Sequence, residues 1–224
     1  MPISVKHKAI FVHIPKTGGV SIESILWPDP NYRIPILLWH GRLKDQYAIK
    51  GTYQHLFAKH MREVITPYFG NVFDEYFKFT IVRNPWSRAL SQWGYMVRGR
   101  KNIARLIGME QEDSLETTLE LIMASKEFPE ARHVQWEPQY KFILDDDGKS
   151  LVDYIGNVEN YDESFKFIMD KLGVEVDEIP CLNNSRPFND DGTRESYRTF
   201  YTEGAKKLVE ELYAEDIKIF GYKF

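Results

Sequence analysis

The sequence predicts an α/β fold: three layers (α/β/α) with a central parallel sheet and a P-loop-like strand–loop–helix near its start. Short apolar runs alternate along the chain with stretches of helical periodicity, which is the order that builds a parallel sheet. The apolar runs are continuous rather than alternating, as strands covered on both faces require. The two most distinctive loops fall directly after such runs, where open α/β sheets bind ligands. The 224 residues, 43% of them hydrophobic, suit one domain over residues 1–224 with a sizeable core.

Taken in order, Lys8–Ile14 (KAIFVHI) reads as a buried strand, Pro15–Gly19 as a loop, and Val20–Leu26 as the start of a helix. Tyr76–Val82 (YFKFTIV) is a second strand, stopped by Asn84-Pro85, with a helix from about Trp86 to Arg98. Ser114–Ser125 is helical, and Leu151–Val158 (LVDYIGNV) is a third strand. Phe165, Ile168, Met169 and Leu172 share one helix face closed by Gly173. Ala205, Leu208, Val209, Leu212 and Tyr213 do the same in a last helix with Thr202 as its cap. Asp145-Asp146-Asp147-Gly148 lacks the alternating ligands and later Glu of a calcium loop and reads as a turn between strands.

Composition narrows the class. The single cysteine, Cys181, rules out an intrachain disulfide, and no apolar run reaches the roughly 18 residues of a membrane span, so a soluble cytoplasmic protein is expected. A net charge of −4 speaks against a nucleic-acid binder. Charge placement is uneven, however. No acid lies between Glu75 and Glu110, where Lys78, Arg83, Arg88, Arg98, Arg100, Lys101 and Arg105 all fall. Simple proportion would put about five acids there, so the window is a candidate anion site.

Two motifs carry chemistry. In His13-Ile14-Pro15-Lys16-Thr17-Gly18-Gly19-Val20-Ser21 the glycines allow close backbone approach to an anion at a helix N-terminus. Lys16 adds a full charge there, and Thr17 and Ser21 add hydroxyls. The Walker A spacing fails, because Ile10 and Pro15 stand where its glycines belong. In Ile81-Val82-Arg83-Asn84-Pro85-Trp86-Ser87-Arg88-Ala89-Leu90-Ser91 a strand-end guanidinium and a helix hydroxyl can converge on one phosphate.

PKTGG followed some 65 residues later by VRNPWSRALS resembles the sulfotransferase superfamily. HVQWEPQ, DYIGNVE and LNNS, in that order, narrow the resemblance to the carbohydrate branch typified by heparan and chondroitin enzymes. The resemblance implies transfer of a sulfuryl group from 3′-phosphoadenosine 5′-phosphosulfate (PAPS) to a hydroxyl of a carbohydrate. It assigns Lys16, Thr17, Gly18, Gly19, Val20 and Ser21 to the 5′-phosphosulfate, and Arg83 and Ser91 to the 3′-phosphate. It makes Lys16 catalytic and His55, in GTYQHL, the general base; a histidine is mostly neutral near pH 7. His133 and Trp136 are its candidates for acceptor contact. No metal is implied, and no HExxH or CxxC spacing is present. Two departures stand out: the animal carbohydrate enzymes carry a membrane anchor and disulfides, which points to a bacterial-like soluble relative, and Asn84 replaces a common Asp. A small alcohol or phenol as acceptor, an ATP-dependent kinase and a non-catalytic nucleotide-binding module are the other readings.

Overall fold

The computed structural model describes residues 3–28, 53–99, 101–128, 133–180 and 196–224. These fall into two compact units, one from residues 3–28, 53–83 and 139–180, the other from 84–138 and 196–224 where described.

The first unit is built on one four-stranded sheet in the order β1 (Ile3–Ser4), β2 (Ala9–Phe11), β3 (Phe77–Val82), β4 (Tyr154–Asn157). β2, β3 and β4 run parallel, with Phe11 opposite Phe79 and Phe79 opposite Tyr154. β1 is an antiparallel edge strand, Ile3 facing Ile10. Such an edge on an otherwise parallel sheet is common, and two residues carry no legible pattern of their own. Alternation sends Ala9, Phe11, Phe79 and Ile81 to one face. There they pack with Ile22 and Leu26 of α1 (Gly19–Leu26) and with Phe165, Ile168 and Met169 of α8 (Tyr161–Leu172). On the opposite face Ile10 and Thr80 are equally inaccessible to solvent. Gly156 lets α8 settle close, since a Cβ there would stand 2.7 Å from both Ile81 Cδ1 and Ser164 Cβ.

The same unit contains α2 (Ala58–Phe69), α3 (Val72–Glu75) and α7 (Tyr140–Ile143). The edge of Phe57 meets the ring of Phe142 at 4.8 Å, tying the start of α2 to α7. The triple-Asp segment is a turn: Asp145 Oδ1 accepts from the Asp147 and Lys149 amides, and Gly148 sits at φ 78°.

The second unit is helical. α4 (Pro85–Val97) starts with proline at its first position, and Asn84 Oδ1 accepts from the amides of Trp86 and Ser87. α5 (Lys101–Ala104) follows, then α6 (Leu115–Ser125), capped by Ser114. α9 (Glu203–Leu212) is capped by Thr202, whose Oγ1 accepts from Ala205 N at 3.0 Å, and α10 (Ala214–Phe220) follows. Trp86, Leu90, Leu119, Trp136, Val209 and Leu212 lead its apolar core. No helix among the described residues is long and apolar enough to cross a membrane.

Candidate functional site

The loop after β2 is shaped by three constraints. Lys16 takes a left-handed backbone conformation at φ 69°, uncommon for a non-glycine residue and of the kind found where function holds strain in place. Gly18 follows at φ 80° as the N-cap of α1. Gly19 is the close approach: a Cβ there would collide with Nε2 and Cδ2 of His13, the latter at 2.5 Å, and with Phe11 Cζ at 2.8 Å. The first turn of α1 holds no acid, and its leading N–H groups lack intrahelical acceptors, which suits an anion. Thr17 and Ser21 are buried. The Thr17 hydroxyl donates to Ile14 O at 2.9 Å, so this side chain braces the loop and offers an anion only its backbone N–H. The Val20 side chain is exposed, so its contribution is likewise its backbone.

His55 ends a 3₁₀ turn (Tyr53–His55) and lies beside this loop. Its Nδ1 stands 2.8 Å from His13 O, and a carbonyl can only accept. The proton is therefore on Nδ1, which leaves Nε2 as the basic nitrogen of the neutral ring. The rings of His13 and His55 meet edge to face at 4.6 Å. His13, 3% exposed, stacks on Phe11 and bonds Glu23 Oε1 through Nδ1 at 2.6 Å. Gln54 Nε2 donates to both oxygens of the same carboxylate, at 3.0 and 2.9 Å.

Arg83, just past β3, brings the second loop to the first: its Nη1 donates to Lys16 O at 3.2 Å. Its own peptide is clasped by Gln139, whose Oε1 accepts from Arg83 N at 2.9 Å and whose Nε2 donates to Arg83 O at 2.7 Å. Gln139 has no solvent exposure. Within the HVQWEPQ segment it is Gln139 that reaches the strand end, a role with no local sequence signal.

Ser91, His133 and Trp136 belong to the second unit. Ser91 is partly exposed on α4. His133 Nδ1 accepts from Gln135 N at 3.2 Å, which places the proton of a neutral ring on Nε2. Trp136, 5% exposed, sits in the apolar core with its ring 5.4 Å from that of His133. Arg88 is buried, with Nη2 donating to the carbonyls of Gln135 and Glu137, so it ties this unit together internally. The acid-free window is thus not one anion patch. Lys78 pairs with Asp153 at 3.2 Å, Arg83 faces the loop, Arg88 is internal, and Arg98 and Arg105 are exposed. Arg100, Gly51-Thr52, Cys181 and the LNNS segment (182–185) lie outside the described residues, as does the side chain of Lys101. Among the described residues no group of three His, Cys, Asp or Glu side chains could hold a metal.

The sequence profile of the sulfotransferase family matches residues 1–223, and so includes both units. No curated protein matches significantly. Among solved structures, mouse sulfotransferase SULT7A1 complexed with PAP is similar over 96% of this chain and 85% of its own, with a TM-score of 0.50 and 16% identity. That likeness carries the fold; the match along almost the whole chain carries the family. By that match over residues 1–223, which takes in the strand–loop–helix, the left-handed Lys16 and His55 beside it, this chain belongs to the sulfotransferase family.

Proposed function

We propose that the chain transfers the sulfuryl group of PAPS to a hydroxyl of a carbohydrate, as a cytoplasmic enzyme acting through one domain over residues 1–224. The observation that carries the site assignment is the Arg83 Nη1 bond to Lys16 O, which joins the loops after two neighbouring parallel strands. Ligands of such sheets gather at that edge. In this reading the backbone N–H groups of Thr17, Gly18, Gly19 and Val20, with Ser21, hold the 5′-phosphosulfate. Arg83 takes the 3′-phosphate, and the motif assigns Ser91 to the same group. His133, backed by Trp136, is the proposed acceptor contact.

Transfer is in-line. The acceptor oxygen forms a bond to sulfur while the bond from sulfur to the 5′-phosphate oxygen breaks, its electron pair leaving with the adenosine bisphosphate. The acceptor proton passes to His55 Nε2. Lys16 neutralises the charge that grows on the departing oxygen, a preorganised role whose loss costs about 10²- to 10³-fold in rate elsewhere. Lysine, arginine and the helix terminus supply the positive charge, so the scheme routes nothing through a metal.

A labelled-PAPS transfer assay against a panel of glycans, small alcohols and phenols, with ATP as a control donor, tests this. Label on glycan hydroxyls is expected. Label on small alcohols or phenols alone would overturn the acceptor class, and phosphate transfer from ATP would overturn the donor. For the 3′-phosphate, Arg83→Ala should remove most of the preference for PAPS over a donor lacking that phosphate; an unchanged preference would refute the assignment.

A further inference from the structure

We infer that Glu23 and Gln54 form a positioning latch that holds the general base against the donor loop, an inference that rests on His55 being that base. Glu23 is the fifth residue of α1, 3% exposed, in a helix whose first turn is otherwise suited to an anion. A buried carboxylate is retained only when it is paired and hydrogen-bonded. Its partners come from two other parts of the fold. His13 Nδ1 donates from the end of the β2 run at 2.6 Å, and Gln54 Nε2 donates from the 3₁₀ turn at 3.0 and 2.9 Å.

Gln54 is the neighbour of His55 in that turn. One short tether therefore runs from the donor-loop helix through the Glu23 carboxylate to the residue beside the base. A second runs from the same carboxylate through the His13 ring to the His13 carbonyl, which holds His55 Nδ1–H. Together they fix both the place and the tautomer of His55. The ring stack of Phe11 on His13 at 5.0 Å stiffens the second tether from below. Neither Glu23 nor Gln54 need touch donor or acceptor: they act through His55. A displacement of about 1 Å in a reacting group is enough to cost on the order of 10²-fold.

The pairing chemistry dictates the variants. Glu23→Gln alone is a weak test, because the Gln54 amide can flip and accept from the new amide. Gln54→Glu sets two carboxylates against each other and should open the latch. The double variant Glu23→Gln with Gln54→Glu restores an amide–carboxylate pair with the partners exchanged. Gln54→Ala removes the tether with no new charge and serves if Gln54→Glu folds poorly. For each, kcat, its pH profile and the affinity for the bisphosphate product by calorimetry are measured beside His55→Ala.

Gln54→Glu and Gln54→Ala should lower kcat about 10- to 100-fold with product affinity within about threefold of native, and should keep the pH limb that His55→Ala loses. The double variant should recover most of the Gln54→Glu loss. Near-native kcat in both Gln54 variants, or a parallel loss of product affinity, would overturn the latch while leaving His55 as the base. Near-native kcat in His55→Ala would overturn the base assignment itself, and the latch with it.

Discussion

His55 and His133 are held in opposite tautomers by their backbone partners, one donating Nδ1–H to a carbonyl and the other accepting an amide proton at Nδ1. Only the first leaves Nε2 able to take a proton. His55→Ala should therefore lose about 10²- to 10⁴-fold in kcat, with PAPS binding near native and the rising limb of the pH–rate profile gone. His133→Ala should keep that limb; if it is His133→Ala that loses the limb, the base has been misassigned. Lys16→Ala should cut kcat by about 10²-fold or more, and a change confined to KM for PAPS would leave Lys16 only a binding role. Gly19→Ala tests the packing beneath the loop. The new methyl meets the His13 ring and Phe11, so a loss of about 1–3 kcal/mol in denaturant unfolding is expected.

At the scale of elements, what was legible in the sequence was local. The Thr202 cap, the Gly173 stop and the Asn84-Pro85 strand stop each act within about four residues and stand where expected, as does the triple-Asp turn, although α7 and not a strand precedes it. β2, β3 and β4 were found within a few residues of their observed ends. β1 was missed because two residues show no period. α2 was missed because Pro67 lies inside it and breaks a helical reading. The clasp of Gln139 on Arg83 and the bond of Gln54 to Glu23 join positions 56 and 31 residues apart, a pairing that only the folded sheet defines. A buried tyrosine at the junction of α9 and α10 yields a further expectation. Burial pushes the Tyr213 hydroxyl up to about 12, Asp216 and Glu137 add to the rise, and Arg88 opposes it. Its folded value lies above the unfolded value of about 10, so this contribution to stability is intact below pH 10 and fades as pH climbs from about 10 to about 12. The loss should total roughly 2–3 kcal/mol, read as a falling denaturant midpoint over that range, and Tyr213→Phe should flatten it.

For the whole molecule, the net charge of −4 hides a division of labour among the cations of the basic window. Among the described ones, Lys78 pairs with Asp153, Arg83 turns to the loop after β2, Arg88 is consumed inside the helical unit, and Arg98 and Arg105 remain at the surface. Since the proposed chemistry draws its positive charge from protein groups, excess EDTA should leave turnover nearly unchanged. Abolition by EDTA with rescue by magnesium would contradict the scheme. The order of the segments along the chain has a consequence for synthesis. The sheet-bearing unit is assembled from three stretches, and its last strand and helix, β4 and α8, come from residues 154–172. On the ribosome the loop after β2 emerges more than 140 residues before the end of α8, the helix that packs on the face of its sheet. Nascent chains stalled before residue 154 should show no protected sheet in pulse proteolysis, and protection should appear abruptly once α8 has cleared the exit tunnel.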